Sequence, residues 1–137
     1  MKIIIFKGYW TVEDVRTNNK YLFIFGDNDI KRAKGGQAII RYEPNTIGIP
    51  TKKYPSYNSN AYYYDTEYDD NIKKIDTAIE NIIIILKTGK YKGIILPADG
   101  FGTGLANLKI NAPKTLKYIE DKVNELKEIV KVMEPAN

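Results

Sequence analysis

The chain contains neither cysteine nor histidine among its 137 residues. The absence of cysteine excludes disulfide bonds and thiolate chemistry. The absence of histidine removes the most frequent general base, the most frequent metal ligand and every serine–histidine–aspartate triad. Catalysis would therefore have to use aspartate, glutamate, lysine, tyrosine or bound water, and we expect neither a metal site nor a cofactor.

Long apolar runs are also missing. The longest, residues 82–86, is far too short to cross a membrane. The N-terminal stretch, residues 1–8, is basic and then apolar, but its apolar part is too short for a secretory signal. We therefore expect an intracellular, cytoplasmic protein with no membrane partner.

The overall composition is that of an ordinary globular protein. Hydrophobic residues make up 43% of the chain and charged residues 28%, which argues against disorder. The length suits one domain, residues 1–137, with a substantial core. The net charge of +4 fits an anionic ligand without requiring nucleic acid.

Predicted strands and helices alternate along the chain. Their patterns place strands at 2–6, 21–25, 46–49 and 92–96, and helices at 11–18, 37–41, 69–89 and from 111 or 112 onward. Pro50 is expected to close the third strand. Residues 128–133 suit either a further helical turn or a short final strand. This alternation predicts a three-layer α/β fold with a mixed, largely parallel central sheet.

The glycine-rich stretch 97–108 is the most informative part of the sequence. Gly100, Gly102 and Gly104 follow a predicted buried strand and precede a predicted helix. Alternating glycines let a backbone pass close to a ligand and turn several N–H groups towards one anion. The pattern matches neither the Walker A motif nor the dinucleotide fingerprint. The alternative is that these glycines only turn the chain.

Three polar or glycine-rich loops follow predicted strands: 26–36, 50–53 and 97–108. Since the ligand site of a parallel sheet lies at the carboxyl ends of its strands, these loops are expected to converge on one site. Residues 54–68, which hold six tyrosines, have two interpretations. Their rings either cover an edge of the core or stack on bases.

The same loops resemble the macro domain, an ADP-ribose-binding family. Residues 28–40, with Gly35-Gly36-Gln37-Ala38, are similar to its first loop, and Gly102-Thr103-Gly104-Leu105 resembles its second. Thr51-Lys52-Lys53 after a strand is most similar to the terminal ADP-ribose glycohydrolase (ALC-like) class. The likeness covers roughly residues 21–126 and implies a macro-domain-like αβα fold.

The resemblance also implies a set of site residues. Those expected to bind the ligand are Asp27, Asn28, Gly35, Gly36, Gln37, Thr51, Gly100, Phe101, Gly102, Thr103, Gly104 and Leu105. The first lysine of the Thr-Lys-Lys segment, Lys52, would be the nucleophile. The aspartate that this class carries after its second loop is replaced here, since Ala106 and Asn107 follow Leu105.

These features leave two functions open; a third, nucleic-acid binding, is disfavoured because the charge is spread along the chain rather than gathered in one basic block. As an enzyme, the protein would hydrolyse an ADP-ribosyl linkage of protein or nucleic acid. Lys52, desolvated and next to Lys53, would attack the sugar, and Asp99 or Asp27 would assist hydrolysis; alternatively Asp99 would activate water directly. As a binder, it would sequester an ADP-ribose-derived signalling nucleotide. DNA or RNA is expected as a partner only when it carries ADP-ribose.

Overall fold

The sheet at the centre of the protein has four parallel strands in the order β1-β4-β2-β3. The computed structural model describes residues 1–135. Its strands are β1 (Lys2–Phe6), β2 (Tyr21–Asn28), β3 (Thr46–Lys52) and β4 (Gly93–Pro97). The α/β class and the parallel character of the sheet are confirmed, and every strand pair in the described residues is parallel.

Four α-helices surround the sheet: α1 (Val12–Thr17), α2 (Tyr68–Lys87), α3 (Leu108–Asn111) and α4 (Pro113–Val132). Short 3-10 helices lie at Gly36–Ile40, Ser59–Ala61 and Asp65–Glu67. The predicted start of α1 is confirmed, because Thr11 and Asp14 form a reciprocal capping box. None of the helices in residues 1–135 is long and apolar enough to cross a membrane.

The central strands β2 and β4 are buried on both faces, as the continuous apolar run of β2 predicts. Leu22 and Ile24 belong to the core cluster shared with α2 and α4. Phe23 and Phe25 point the other way, into a cluster with Trp10 and other residues on the α1 side. Successive residues of one strand therefore fill two cores, which produces the three layers.

Several predicted boundaries are wrong. Pro50 does not end the third strand, which continues to Lys52. Because β3 is an edge strand and Pro50 pairs with Asp27 of β2, a missing N–H on the outer side is tolerated there. The helix predicted at 37–41 is a 3-10 helix at Gly36–Ile40, and α3 was not predicted. Residues 128–132 are helical, which resolves the alternative of a final strand.

Candidate functional site

A cleft of about 810 Å³ lies at the carboxyl ends of the four strands. The ends of β2 and β3 and the loop after β4 line it, as the sequence predicts. The loop 8–10 after β1 also lines it and was missed, although Gly8 directly after an apolar strand was a usable signal. The predicted residues that line the cleft are Asp27, Asn28, Gly35, Gly36, Gln37, Thr51, Lys52, Asp99, Gly102, Thr103, Gly104 and Leu105.

Two predicted ligand residues do not line the cleft. Phe101 is 5% exposed, and its ring packs into the core beside α2 and α4. Gly100 is half-buried, and its carbonyl accepts a hydrogen bond from the side chain of Gln37. The expectation that these two residues bind a ligand stays a prediction.

The glycine-rich loop presents a row of unpaired N–H groups. The N–H of Gly100 donates to Pro97 and that of Asn107 to Gly104, both at 3.1 Å. Between them, the N–H groups of residues 101–106 donate to no acceptor in residues 1–135. Since residues 102–106 line the cleft, this loop offers it donors that an anion would satisfy.

Glycine is required at position 102 of this loop, whereas position 104 has room for a side chain. Gly102 has a φ of +75°, and a Cβ there would lie 2.2 Å from Cδ1 of the buried Leu108. Gly104 has no positive φ, and a Cβ there would meet no atom within 4 Å. Gly102 therefore shapes the loop, whereas Gly104 leaves space open on the cleft side.

The loop 29–35 after β2 is held in a strained conformation. Lys31 and Ala33 both have positive φ angles, of 55° and 71°, which cost side-chain-bearing residues about 1 kcal/mol or more each. The side chain of Asn28 donates to the carbonyl of Arg32 at 2.7 Å and accepts from its N–H at 3.4 Å. Asn28 therefore positions this loop.

The side chain of Arg41 also holds the loop 29–35 in place. Its Nε donates to the carbonyl of Ala33 at 2.8 Å, and its Nη2 donates to the carbonyl of Arg32 at 3.1 Å. The N–H groups of residues 33–36 donate to no acceptor in the described part of the chain. Since Ala33, Gly35 and Gly36 line the cleft, these N–H groups form a second set of donors beside it.

Asp27 is not available as a catalytic acid. Its Oδ1 accepts from Nη2 of Arg41 at 2.5 Å and from the N–H of Asn28 at 2.7 Å. The side chains of Asp27 and Arg41 are each 6% exposed. A Cβ on Gly48 would lie 2.6 Å from Oδ2, so glycine is needed there to make room for this carboxylate. Its role is to anchor Arg41.

Gln37 ties three of the loops together. Its Oε1 accepts from the N–H of Gly26 at 2.7 Å, and its Nε2 donates to the carbonyl of Gly100 at 2.8 Å. Its own carbonyl accepts from Nε1 of Trp10 at 2.9 Å. Both ends of the Gln37 side-chain amide are therefore already hydrogen-bonded within the protein, and the residue sets the spacing of the cleft walls.

Lys52 is a buried cation in the cleft wall. It is 8% exposed, and its ammonium donates to the carbonyl of Ser56 at 2.8 Å. It lies over the rings of Tyr62 and Tyr57, at 4.6 and 5.6 Å from their centroids. No carboxylate in residues 1–135 forms a salt bridge with it. Burial lowers the pKa of Lys52 below the ordinary lysine value.

The neighbouring lysine does not contribute to that shift. Lys53 pairs with Glu67 at 2.6 Å and does not line the cleft. Of the two causes expected from the sequence, the adjacent cation is therefore absent, whereas desolvation is confirmed. Desolvation alone lowers that pKa. Asp99 is exposed at the cleft, and its carboxylate accepts no hydrogen bond from the described residues.

The tyrosines of residues 54–68 differ in burial, and whether any of them stacks on a base stays a prediction. Tyr63 is fully buried in the core, and its hydroxyl donates a hydrogen bond to the carboxylate of Asp29. Tyr57 is 79% exposed and lines the cleft. The described residues contain no group of three or more acidic side chains that could hold a metal ion.

The sequence model of a family of unknown function (DUF7831) matches residues 5–122. The chain belongs to this family. The DUF7831 match includes every residue that lines the cleft. No curated protein and no solved structure matches the chain.

Proposed function

We propose that the cleft binds ADP-ribose or a related NAD-derived nucleotide. The observation that carries this proposal is the pair of unpaired N–H rows, at residues 33–36 and 101–106, on two loops of one cleft. A Cβ on Gly35 would lie 3.1 Å from Cδ1 of Leu105, so the two loops approach each other closely. A diphosphate between them would satisfy donors from both sides.

The size of the cleft and the order of its loops support the same ligand. A volume of about 810 Å³ suits a ligand larger than a simple anion. The two glycine loops and the Thr-Lys-Lys segment occur in the order that the macro domain resemblance implies. Nucleic acid enters this proposal only as a carrier of the ADP-ribosyl group.

Hydrolysis of an ADP-ribosyl linkage is the second candidate function, and the lowered pKa of Lys52 favours it. Its unprotonated amine would attack the anomeric carbon of the distal ribose, whose bond to the leaving group breaks. The leaving group departs with the electron pair and takes up a proton. Water then cleaves the carbon–nitrogen bond, which releases ADP-ribose and restores the amine.

Asp99 is the remaining carboxylate for this chemistry, because Asp27 is bonded to Arg41. It would activate the water that releases ADP-ribose from Lys52. Alternatively, it would activate a water that attacks the anomeric carbon directly, without a covalent step. The alternative remains a binder without turnover. Ala106 stands where the glycohydrolase class carries its aspartate, and this replacement favours sequestration of the nucleotide.

Thermal unfolding tests the binding proposal. A ligand present at 100 times its dissociation constant stabilises the folded state by about 2.7 kcal/mol. For a domain of this size we expect ADP-ribose to raise the melting temperature by roughly 10 °C. Adenosine and ribose 5-phosphate, which lack the diphosphate, should raise it far less. Equal shifts for all three compounds would show that the loops do not recognise a diphosphate.

A further inference from the structure

A second cavity, of about 640 Å³, lies beside β3. We name it the edge cavity, because β3 is the edge strand of the sheet. Residues of β3, the facing side of α2 and the loop after β2 line it. The proposed function makes no use of this space.

Arg41 brings an unused hydrogen-bond donor to the edge cavity. The side chain is 6% exposed, and its Nε and Nη2 are occupied by the carbonyls of Ala33 and Arg32 and the carboxylate of Asp27. Its Nη1 donates to no acceptor in residues 1–135. Arg41 lines the edge cavity and not the cleft. A buried guanidinium thus keeps two N–H donors for an occupant of this cavity.

The charges around the edge cavity leave one cation unmatched. Of the two carboxylates in its wall, Asp27 pairs with Arg41 and Asp29 with Lys74 at 2.7 Å. The third cation, Lys31, is exposed and pairs with no carboxylate in the described residues. An anion in the cavity would face this unmatched charge and the free donors of Arg41.

We propose that the edge cavity is a second ligand site, whose ligand carries an oxyanion group bound by Nη1 of Arg41 and the ammonium of Lys31. A guanidinium recognises carboxylates and phosphates by the same planar donor geometry, so both share the required chemistry. This proposal does not depend on what the cleft binds.

Amide chemical shifts distinguish the two sites in one titration. Inorganic phosphate and acetate would be titrated separately into the full-length protein. The amides of Ile47, Gly48 and Ala78 report on the edge cavity, and those of residues 102–105 report on the cleft. We expect saturable shifts at the edge-cavity amides with at least one of the two anions, and the tighter of them identifies the oxyanion class.

Two variants assign those shifts to the cavity. Lys31→Glu should weaken anion binding at the edge cavity by at least about fivefold, because it reverses the unmatched charge. Lys87→Glu makes the same charge change at the far end of α2, outside the cavity lining, and should have less than about a twofold effect. Thr77→Trp, which fills the cavity from an exposed position of α2, should abolish the shifts.

The proposal is overturned if neither anion moves the edge-cavity amides while the protein is folded. It is also overturned if both charge reversals weaken binding equally, since that would indicate a non-specific response to net charge. Retention of the shifts in Thr77→Trp would place the anion elsewhere.

Discussion

Gly104→Glu should abolish the binding of ADP-ribose while leaving the protein folded. The φ of Gly104 lies outside the left-handed region, and a Cβ there meets no atom within 4 Å. The new carboxylate would stand among the unpaired N–H groups of residues 101–106, where the diphosphate is expected. It would therefore both fill the space and repel the ligand.

The magnitude follows from simple electrostatics. Two unit charges 4 Å apart near a protein surface repel by about 4 kcal/mol. Half of that energy would already weaken binding by more than about 25-fold, and the full value by about three orders of magnitude. We therefore expect a loss of at least about 100-fold in affinity, measured by calorimetry.

Two controls separate charge from bulk and from stability. Gly104→Gln has nearly the same size without the charge, and should lose less affinity than Gly104→Glu. Gly104→Ala should bind within about threefold of the wild type and melt within a few degrees of it. Undiminished affinity in Gly104→Glu would show that the glycine-rich loop does not contact the ligand.

Lys52→Met should abolish release of ADP-ribose from an ADP-ribosylated substrate and leave binding of free ADP-ribose within about fivefold. Methionine keeps the apolar stem that packs beside Tyr57 and Tyr62 but lacks the amine. Removing a covalent nucleophile typically lowers turnover by several orders of magnitude. Lys52→Arg, which keeps the charge but offers no nucleophile, should be equally inactive.

The pH dependence of turnover gives a second readout. The reactive form of Lys52 is the unprotonated amine, and burial lowers its pKa below the ordinary lysine value. Turnover should therefore rise with pH as the amine loses its proton, and it should level off above this lowered pKa. Initial rates from a single batch of protein across pH would measure this rise.

Each alternative function predicts a different pattern. If Asp99 activates water without a covalent step, Lys52→Met retains turnover and Asp99→Asn loses it. If the protein is a binder, the wild type shows no turnover with any ADP-ribosylated substrate, and Lys52→Met binds ADP-ribose as the wild type does. Turnover in Lys52→Met that exceeds a tenth of the wild-type rate would contradict the nucleophile role.

The strands of the sheet could be predicted from local patterns because each is a short apolar run. The alternation of Leu22 to Phe25 between two cores was implicit in that run, since a strand without polar positions must be covered on both faces. The end of β3 was not predictable from Pro50. Its effect depends on whether the strand lies at an edge, and the pairing order decides that.

The convergence of the loops was predictable, whereas the hydrogen bonds of individual side chains were not. Parallel strands bring their carboxyl ends together, so Gly35, Lys52 and Gly104 meet in one cleft. The hydrogen bonds of Gln37 and Arg41 depend on carbonyls that are distant in sequence or turned by positive φ angles. No periodic pattern encodes such contacts, and Arg41 accordingly had no predicted role.

Calorimetric titration of the wild-type protein with ADP-ribose, with AMP and NAD as controls, tests the central claim most directly. We predict saturable binding of ADP-ribose at a stoichiometry of one, at least about tenfold tighter than either control. Absence of heat with ADP-ribose, together with an unchanged melting temperature, would contradict the assignment of the cleft to an ADP-ribose-type ligand.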